Sequence, residues 1–436
     1  MIERIKSALL FLLVVASLVQ SYLIVFGSPR YEMIRRDEYV QTDLPGTRLA
    51  MEELVYPDQI VLHLGQDRHT VLQPGASSIF YKQVWEFVRQ RTFDGFRRSP
   101  SVTGPLEWDE IRAKNKGIEI RFRAGIPFEV LGSLVRIQGD VDLNSGLIYK
   151  IWIYAAEERD EVRVAFFTQG GYALYEASKA DINRDDVERL AAFGEYQPAY
   201  QYRAQDYYVP AEPLPMVRQR LPIKAYEIEQ WKKSLFLDPA GTRTIPDMEG
   251  TDMYTDGKRV LRVRETKKWL VYSDPQPVTS KPNVVMENVR AAIGFVNQHG
   301  GWNGAYRAVR VPVEPETGRQ TFEFVQYVDQ YPIVSDQAEP FGTIRMSLQN
   351  GTVSAYERST IYIPEDALRS RSPDLPREQA DLPGGKALDE RLAAYANKDR
   401  ITALYPAYKP VIGDNAVDLV PVWAVELADG KTELLE

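Results

Sequence analysis

Three histidines and no cysteine are what this 436-residue chain brings to side-chain chemistry. Without thiols there is no disulfide, no cysteine nucleophile, no iron–sulfur cluster and no zinc ribbon. A lipoprotein anchor, which needs a cysteine at its cleavage site, is not expected either. His63 and His69 stand six positions apart in "DQIVLHLGQDRHTVLQPG". There, alternating apolar and polar residues flank a Gly-Gln-Asp-Arg turn, which predicts a hairpin with the two imidazoles able to face each other across it. No carboxylate pattern completes a metal site with them, so their expected role is structural. His299 lies in "QHGGWNG". Its glycines fit a helix stop followed by a tight turn. A phosphate cradle needs its glycines ahead of a helix.

The motif search is otherwise negative: the sequence contains no G-x-S-x-G, H-E-x-x-H, Walker A or G-x-G-x-x-G pattern. A Ser–His–Asp site would have to use one of the three histidines. With 61 acidic residues, carboxylate pairs are available everywhere, and a glycosidase pair is defined by spatial separation. The densest groups, "EWDE" (Glu107 to Glu110) and "EERDE" (Glu157 to Glu161), read as exposed turns. The net charge is −8 with both signs interleaved. The most basic patch, "RQRTFDGFRR" (Arg89 to Arg98), reads as a solvated amphipathic helix end. Nucleic acid, which calls for a concentrated basic face, is not an expected partner. The sequence predicts no catalytic, metal or cofactor site and therefore no enzyme.

Before these segments comes "ALLFLLVVASLVQSYLIVF", Ala8 to Phe26, 19 residues without a charge. As a helix it spans roughly 28 Å, close to the hydrocarbon thickness of a bilayer. A secretory apolar region runs to about 7–15 residues and ends at a small-x-small site. Here Tyr22, Ile24 and Phe26 occupy that end, and the nearest candidate site, Ala16-Ser17, lies in the middle of the run. The expectation is an uncleaved anchor, with residues 8–26 in the lipid bilayer. Arg4 and Lys6 precede it and Arg30, Arg35 and Arg36 follow, so charge alone does not orient it. The cysteine-free composition leans toward a cytoplasmic N-terminus and an extracellular body. Ser17, Gln20 and Ser21 share one helix face. Contact with another membrane helix and an interfacial position meeting water are both open readings of that face.

The elements that follow predict an α+β fold: a single N-terminal transmembrane helix, then an exported multi-domain body of antiparallel sheets with flanking helices. Residues 1–28 form the tail and anchor, and 29–48 a tether. Residues 49–210 form a first α+β domain, with helices in "SSIFYKQVWEFVRQR", where Ile79, Val84, Phe87 and Val88 fall at helical spacing, and in "NRDDVERLAAF". "YQPAYQYRAQDYYVP", with five tyrosines, reads as a loop packed between domains. A proline-rich boundary leads to a middle α+β domain at 217–363, with a helix in "NVVMENVRAAIGFVNQHGG" and Asp-Gly and Asn-Gly hairpin turns. Residues 364–385 read as a linker, and 386–436 as a helix followed by strands.

Taken in order, the N-terminal "RIKSALLFLLVVASLVQSYLI", then "FEFVQYVDQYPIVSD", "GTIRMSLQNGTVSAYER" and the terminal "LVPVWAVELADGK" resemble the YycH family. The later motifs also resemble the sister family YycI and, distantly, PepSY-type modules. The resemblance covers nearly the whole chain, with its most specific motifs in the anchor, in 320–358 and in 419–431. It implies a non-enzymatic accessory regulator of the WalK/WalR two-component system. Such a protein is anchored by one helix and acts with a YycI-like partner on a WalK-like sensor histidine kinase that controls cell-wall metabolism. The family has no catalytic motif to carry over, and no external ligand is identified by it.

Overall fold

A computed structural model describes residues 2–26, 44–75, 78–98, 105–139, 146–156, 161–168, 173–246, 251–275, 283–311, 318–369 and 377–435. The chain divides into two units, Met1–Val40 and Gln41–Glu436. The first contains a single helix, Ile2–Phe26, continuous through the apolar run. Its side chains are described at Arg4, Lys6, Ser7 and positions 10–20, and those at 10–20 are all exposed. Among the described residues no helix is long and apolar enough to cross a membrane. The side chains at 8–9 and 21–26, which complete the expected span, lie outside the described set.

In the second unit, alternation of apolar and polar residues produces three large sheets. The ten-stranded sheet uses only strands between Gln59 and Pro210. At its centre the hairpin Gln59–Gly65 and Arg68–Leu72 lies beside the strand Lys116–Pro127. Gln66 and Asp67 both take positive φ, 55° and 54°, as the tight reversal of a two-residue hairpin requires. One pair, Thr92–Arg98 with Arg136–Ile137, is parallel; the other pairs are antiparallel. The tyrosine-rich stretch is a hairpin at the other edge, Tyr200–Arg203 with Tyr207–Pro210, and not a loop. A further correction concerns "EWDE", which is part of the helix Pro105–Lys114 and not a turn. The basic patch begins at a helix end but continues as the strand Thr92–Arg98.

The nine-stranded sheet lies between Arg243 and Ser359. The helix Val285–Gln298 covers its strands Thr343–Gln349 and Thr352–Ser359 and also meets the helix Phe128–Leu134. The first two sheets consequently share one apolar core, which includes Val84, Ile120, Phe166, Val289, Val296 and Tyr356. In the helix Ile79–Arg89, Tyr81, Val84, Trp85 and Val88 turn into that core, while Ile79 faces solvent. The spacing had put Ile79 in the stripe, but a first-turn residue lies at its margin.

The C-terminal sheet has its own core around Leu388, Tyr408, Leu419 and Trp423. It joins Ile401–Ile412, Ala416–Leu427 and Thr432–Leu435 to Val217–Pro222 and Arg377–Gln379. Two expectations change here. Val217–Pro222 leaves the middle segment for this sheet. The stretch 364–385 supplies the helix Glu365–Arg369 and the strand Arg377–Gln379, although 370–376 lies outside the described residues.

Candidate functional site

A cleft of about 1480 Å³ opens where the three sheets meet. Its lining draws on Asp58, Arg123 and Lys150 from the first sheet region, Arg310 and Arg345 from the middle sheet, and Tyr405 and Glu426 from the C-terminal sheet. That is more space than an ordinary small-molecule pocket of roughly 300–1,000 Å³. One ion network ties the three sheets together there. Asp58 Oδ1 forms an ion pair with Arg307 Nη2 at 2.5 Å, and its Oδ2 accepts from the Arg123 backbone N–H at 2.6 Å. Arg123 reaches on to Glu426 at 3.0 Å and lies over the Tyr405 ring at 3.5 Å. Burial opposes ionisation of Asp58, but Arg307 and then Arg123 outweigh it and hold the carboxyl below its ordinary range. At Glu426 the balance reverses: burial raises its pKa and Arg123 offsets only part of that. Breaking buried ion pairs is costly, and these pairs link all three sheets, so the network holds the sheets together where they meet.

The second cluster lies behind the cleft floor and contains both hairpin histidines. His63 and His69 are cross-strand partners, as expected, with Nδ1 atoms 3.0 Å apart. Sequence reasoning missed the carboxylate that joins them: Glu119, from the strand Lys116–Pro127, lies 3.1 Å from His63 Nε2. The alternation in "GIEIRF" gives no signal of this, because an acid alternating with isoleucines reads as the exposed face of a half-buried strand, whereas Glu119 is buried. Glu119 Oε1 also accepts from Arg121 Nη2 at 2.7 Å and forms an ion pair with Lys150 Nζ at 3.2 Å, and Tyr208 Oη donates to Oε2 at 3.2 Å. Asp206 receives the outer sides of Arg121 and Lys150 at 2.8 and 3.1 Å. Burial would raise the pKa of Glu119. Arg121, then Lys150 and His63, hold it well below the usual carboxylate range. Burial pushes His63 down to about 4 and His69 below its ordinary value. Among the described residues no group of three or more His, Asp or Glu side chains is arranged to hold a metal ion.

The third arrangement concerns the end of the expected tether. Residues 44–49 are docked on the middle domain. Thr47 exchanges two backbone hydrogen bonds of 2.9 Å with Trp302. The Asn297 side chain accepts from the Leu49 N–H at 3.0 Å and donates to the Leu49 carbonyl at 2.9 Å. The glycines of "QHGGWNG" permit this approach. A Cβ on Gly46 would stand 2.1 Å from the Gly300 carbonyl oxygen, and one on Gly301 only 2.6 Å from Gly46. Arg358 supports the dock from beneath. It donates to the Gly301 carbonyl at 2.9 Å, to Tyr356 Oη at 3.0 Å, and to Tyr226 Oη and Asn303 Oδ1 at 2.8 Å each. Asn303 in turn donates to the Pro45 carbonyl at 3.3 Å. His299 Nδ1 meets Ser234 Oγ at 2.9 Å, both side chains buried. The pair has no access to solvent and serves packing.

The proposed helix-contact residues belong to the first unit. Ser17 and Gln20 are exposed on the N-terminal helix, and the Ser21 side chain lies outside the described residues. Of the acidic groups, Asp109 is engaged by Arg112 and Glu110 by Lys114 on their own helix. Glu157 to Asp160 fall outside the described residues. Among the described carboxylates of these two groups, only Asp109 lines the cleft.

Comparison with known proteins follows the same architecture. A Bacillus subtilis protein described as the two-component system WalR/WalK regulatory protein YycH is 21% identical over 452 residues, covering 98% of this chain and 95% of that protein. The crystal structure of YycH from Bacillus subtilis superposes with a TM-score of 0.70 at 17% identity, covering 90% of this chain and 99% of that one. That likeness establishes the shared fold. The sequence model of the YycH N-terminal domain matches residues 3–190, and that of the YycH C-terminal domain matches 204–435. With both domains present in order over almost its whole length, this chain belongs to the YycH family.

Proposed function

We propose that this protein is a membrane-anchored accessory regulator of a two-component sensor histidine kinase of the WalK type, acting through protein contacts. The observation that carries the reading is the full-length, in-order match to both YycH domains, together with a curated relative described as a WalR/WalK regulatory protein. In this reading residues 8–26 span the bilayer, the short N-terminus is cytoplasmic, and the body stands outside. Partner proteins, a WalK-like kinase and a YycI-like sister, meet the helix along Ser17, Gln20 and Ser21. Regulation is then a shift in population: binding favours one kinase conformation by the difference in affinity for the two. No catalytic step is required.

Photocrosslinking in native membranes tests this directly. Probes at Ser17, Gln20 or Ser21 are expected to capture a sensor kinase or a sister accessory protein, whereas probes at Leu18 or Leu23 are not. Equal, non-specific labelling from both faces would reduce the helix to an anchor and move the contacts to the body.

A further inference from the structure

Four side chains in the first sheet form a line with three gaps of hydrogen-bond length. Glu119 Oε2 to His63 Nε2 is 3.1 Å, His63 Nδ1 to His69 Nδ1 is 3.0 Å, and His69 Nε2 to Asp67 Oδ1 is 3.1 Å. Each gap needs one proton, because an ionised carboxylate and a bare imidazole nitrogen only accept. Two neutral imidazoles carry two protons between them. The geometry has places for three.

Chemistry assigns each proton. Glu119 is held ionised by Arg121 and Lys150, so His63 must donate to it from Nε2. His63 Nδ1 is then an acceptor, and His69 fills the middle gap from its own Nδ1. What remains is His69 Nε2 facing Asp67. Asp67 is the one exposed member, with 80% of its side chain open to solvent. It can take up the third interaction or turn to water, so that gap opens and closes at least cost.

We infer that Glu119, His63, His69 and Asp67 form a proton-binding site that accepts one proton on His69 Nε2 as pH falls, closing the line from the buried carboxylate to the hairpin turn. The reaction is protonation alone: the imidazole lone pair takes H⁺ from solvent, and no other bond changes. Groups from every neighbouring element face the pair. Arg112, from the helix Pro105–Lys114, opposes the added charge at both histidines, while Glu119 and Asp67 favour it at His69. Arg121, Lys150 and Asp206 form the outer side of Glu119, and Tyr208 contributes a neutral hydroxyl. Burial is the largest opposing influence, so protonation falls below the ordinary histidine range of about 6.5. His69 also pairs with Tyr200 of the edge hairpin, and the turn of that hairpin carries Asp206 into the cleft. Closing the line therefore extends a continuous hydrogen-bonded path from buried Glu119 to the exposed turn of the 59–72 hairpin. The proposal depends on the functional reading above only for which medium supplies the proton.

The test is imidazole ¹⁵N NMR of the full chain in detergent, labelled at histidine, from pH 8 to 5. The single His63→Gln, His69→Gln and His299→Gln variants assign the three signals. His63 is expected to hold the Nε2–H tautomer throughout. His69 is expected to be Nδ1–H at neutral pH and to gain a proton with a midpoint below 6.5. Asp67→Asn, which keeps a residue suited to positive φ, is expected to lower that midpoint and leave His299 unchanged. Asp67→Ser serves as a second variant with the same expectation. An Nδ1–H tautomer at His63, no titration of His69 before unfolding, or a midpoint indifferent to both Asp67 variants would overturn the assignment. Because no kinase is present, these outcomes leave the crosslinking result independent.

Discussion

Around Glu119 a buried carboxylate meets Arg121 and Lys150, and Asp206 closes the far side. Around Arg358 a buried guanidinium meets two hydroxyls, an amide oxygen and a carbonyl and, among the described residues, no acid. The first arrangement balances charge against charge. The second solvates a cation with fixed dipoles, as water would. The difference matters when one member is lost. A broken ion cluster leaves charges without partners in a low-dielectric interior; a broken dipole cage leaves neutral polar groups whose desolvation is less costly. The ion cluster sits under the cleft, and the cage sits under the docked end of the tether.

Mutation tests that contrast most strongly. Glu119→Ala leaves Arg121 and Lys150 to share Asp206 alone and removes the acceptor of His63, and is expected to cost about 3–5 kcal/mol in urea unfolding. A loss no larger than that of Arg358→Met would break the comparison. Acid is the next largest perturbation. His63 has a folded pKa near 4 against about 6.5 unfolded. Its contribution is therefore fully present above pH 6.5 and is lost as pH falls toward 4, by roughly 3 kcal/mol in total. His299, also pushed down to about 4 by burial, acts with the same sign. Unfolding curves at pH 7 and pH 5 check this, and replacing either histidine by Gln is expected to flatten the acid loss.

Arg358→Met follows at about 1–3 kcal/mol. Gly301→Ala sharpens its meaning, because it places a Cβ against Gly46 at a φ of 63° and strains the dock by about 1–3 kcal/mol. Amide exchange at Thr47 and Leu49 is expected to accelerate in both variants. If only stability falls and these amides stay protected, the cage supports the sheet and not the dock. The smallest effect belongs to Asp67→Asn, within about 0.5 kcal/mol of the parent at neutral pH, since the side chain is largely in water. A larger loss there would show that the line is already closed at neutral pH.

Much of the local structure was legible because it rests on short-range pattern. The His63–His69 hairpin, the capped helix after Asn183 and the Asp256-Gly257 turn all follow from alternation, capping and turn chemistry. The site was less legible. Glu119 lies 56 positions from His63, and nothing in "GIEIRF" says which strand will lie beside it. The glycines of "QHGGWNG" announced a tight turn, yet their partner, Gly46, is more than 250 positions earlier. The tyrosines of 196–210 looked like a loop because tyrosine spacing does not distinguish an edge hairpin from irregular packing. Two of them, Tyr200 and Tyr208, join the first sheet's satellite core, while Tyr207 crosses to the C-terminal core.

By itself, then, the sequence determined composition-level chemistry and local geometry: no thiol chemistry, one long uncharged apolar run, an α+β body, and ordered motifs that point to the YycH family. Tertiary structure decided which distant groups share a low-dielectric site, and therefore their charge states. Strand register placed Glu119 against His63, three sheets converged on Asp58 and Arg123, and Thr47 paired with Trp302. Such pairings depend on burial and on the order of strands in a sheet, which residue spacing along one chain does not encode.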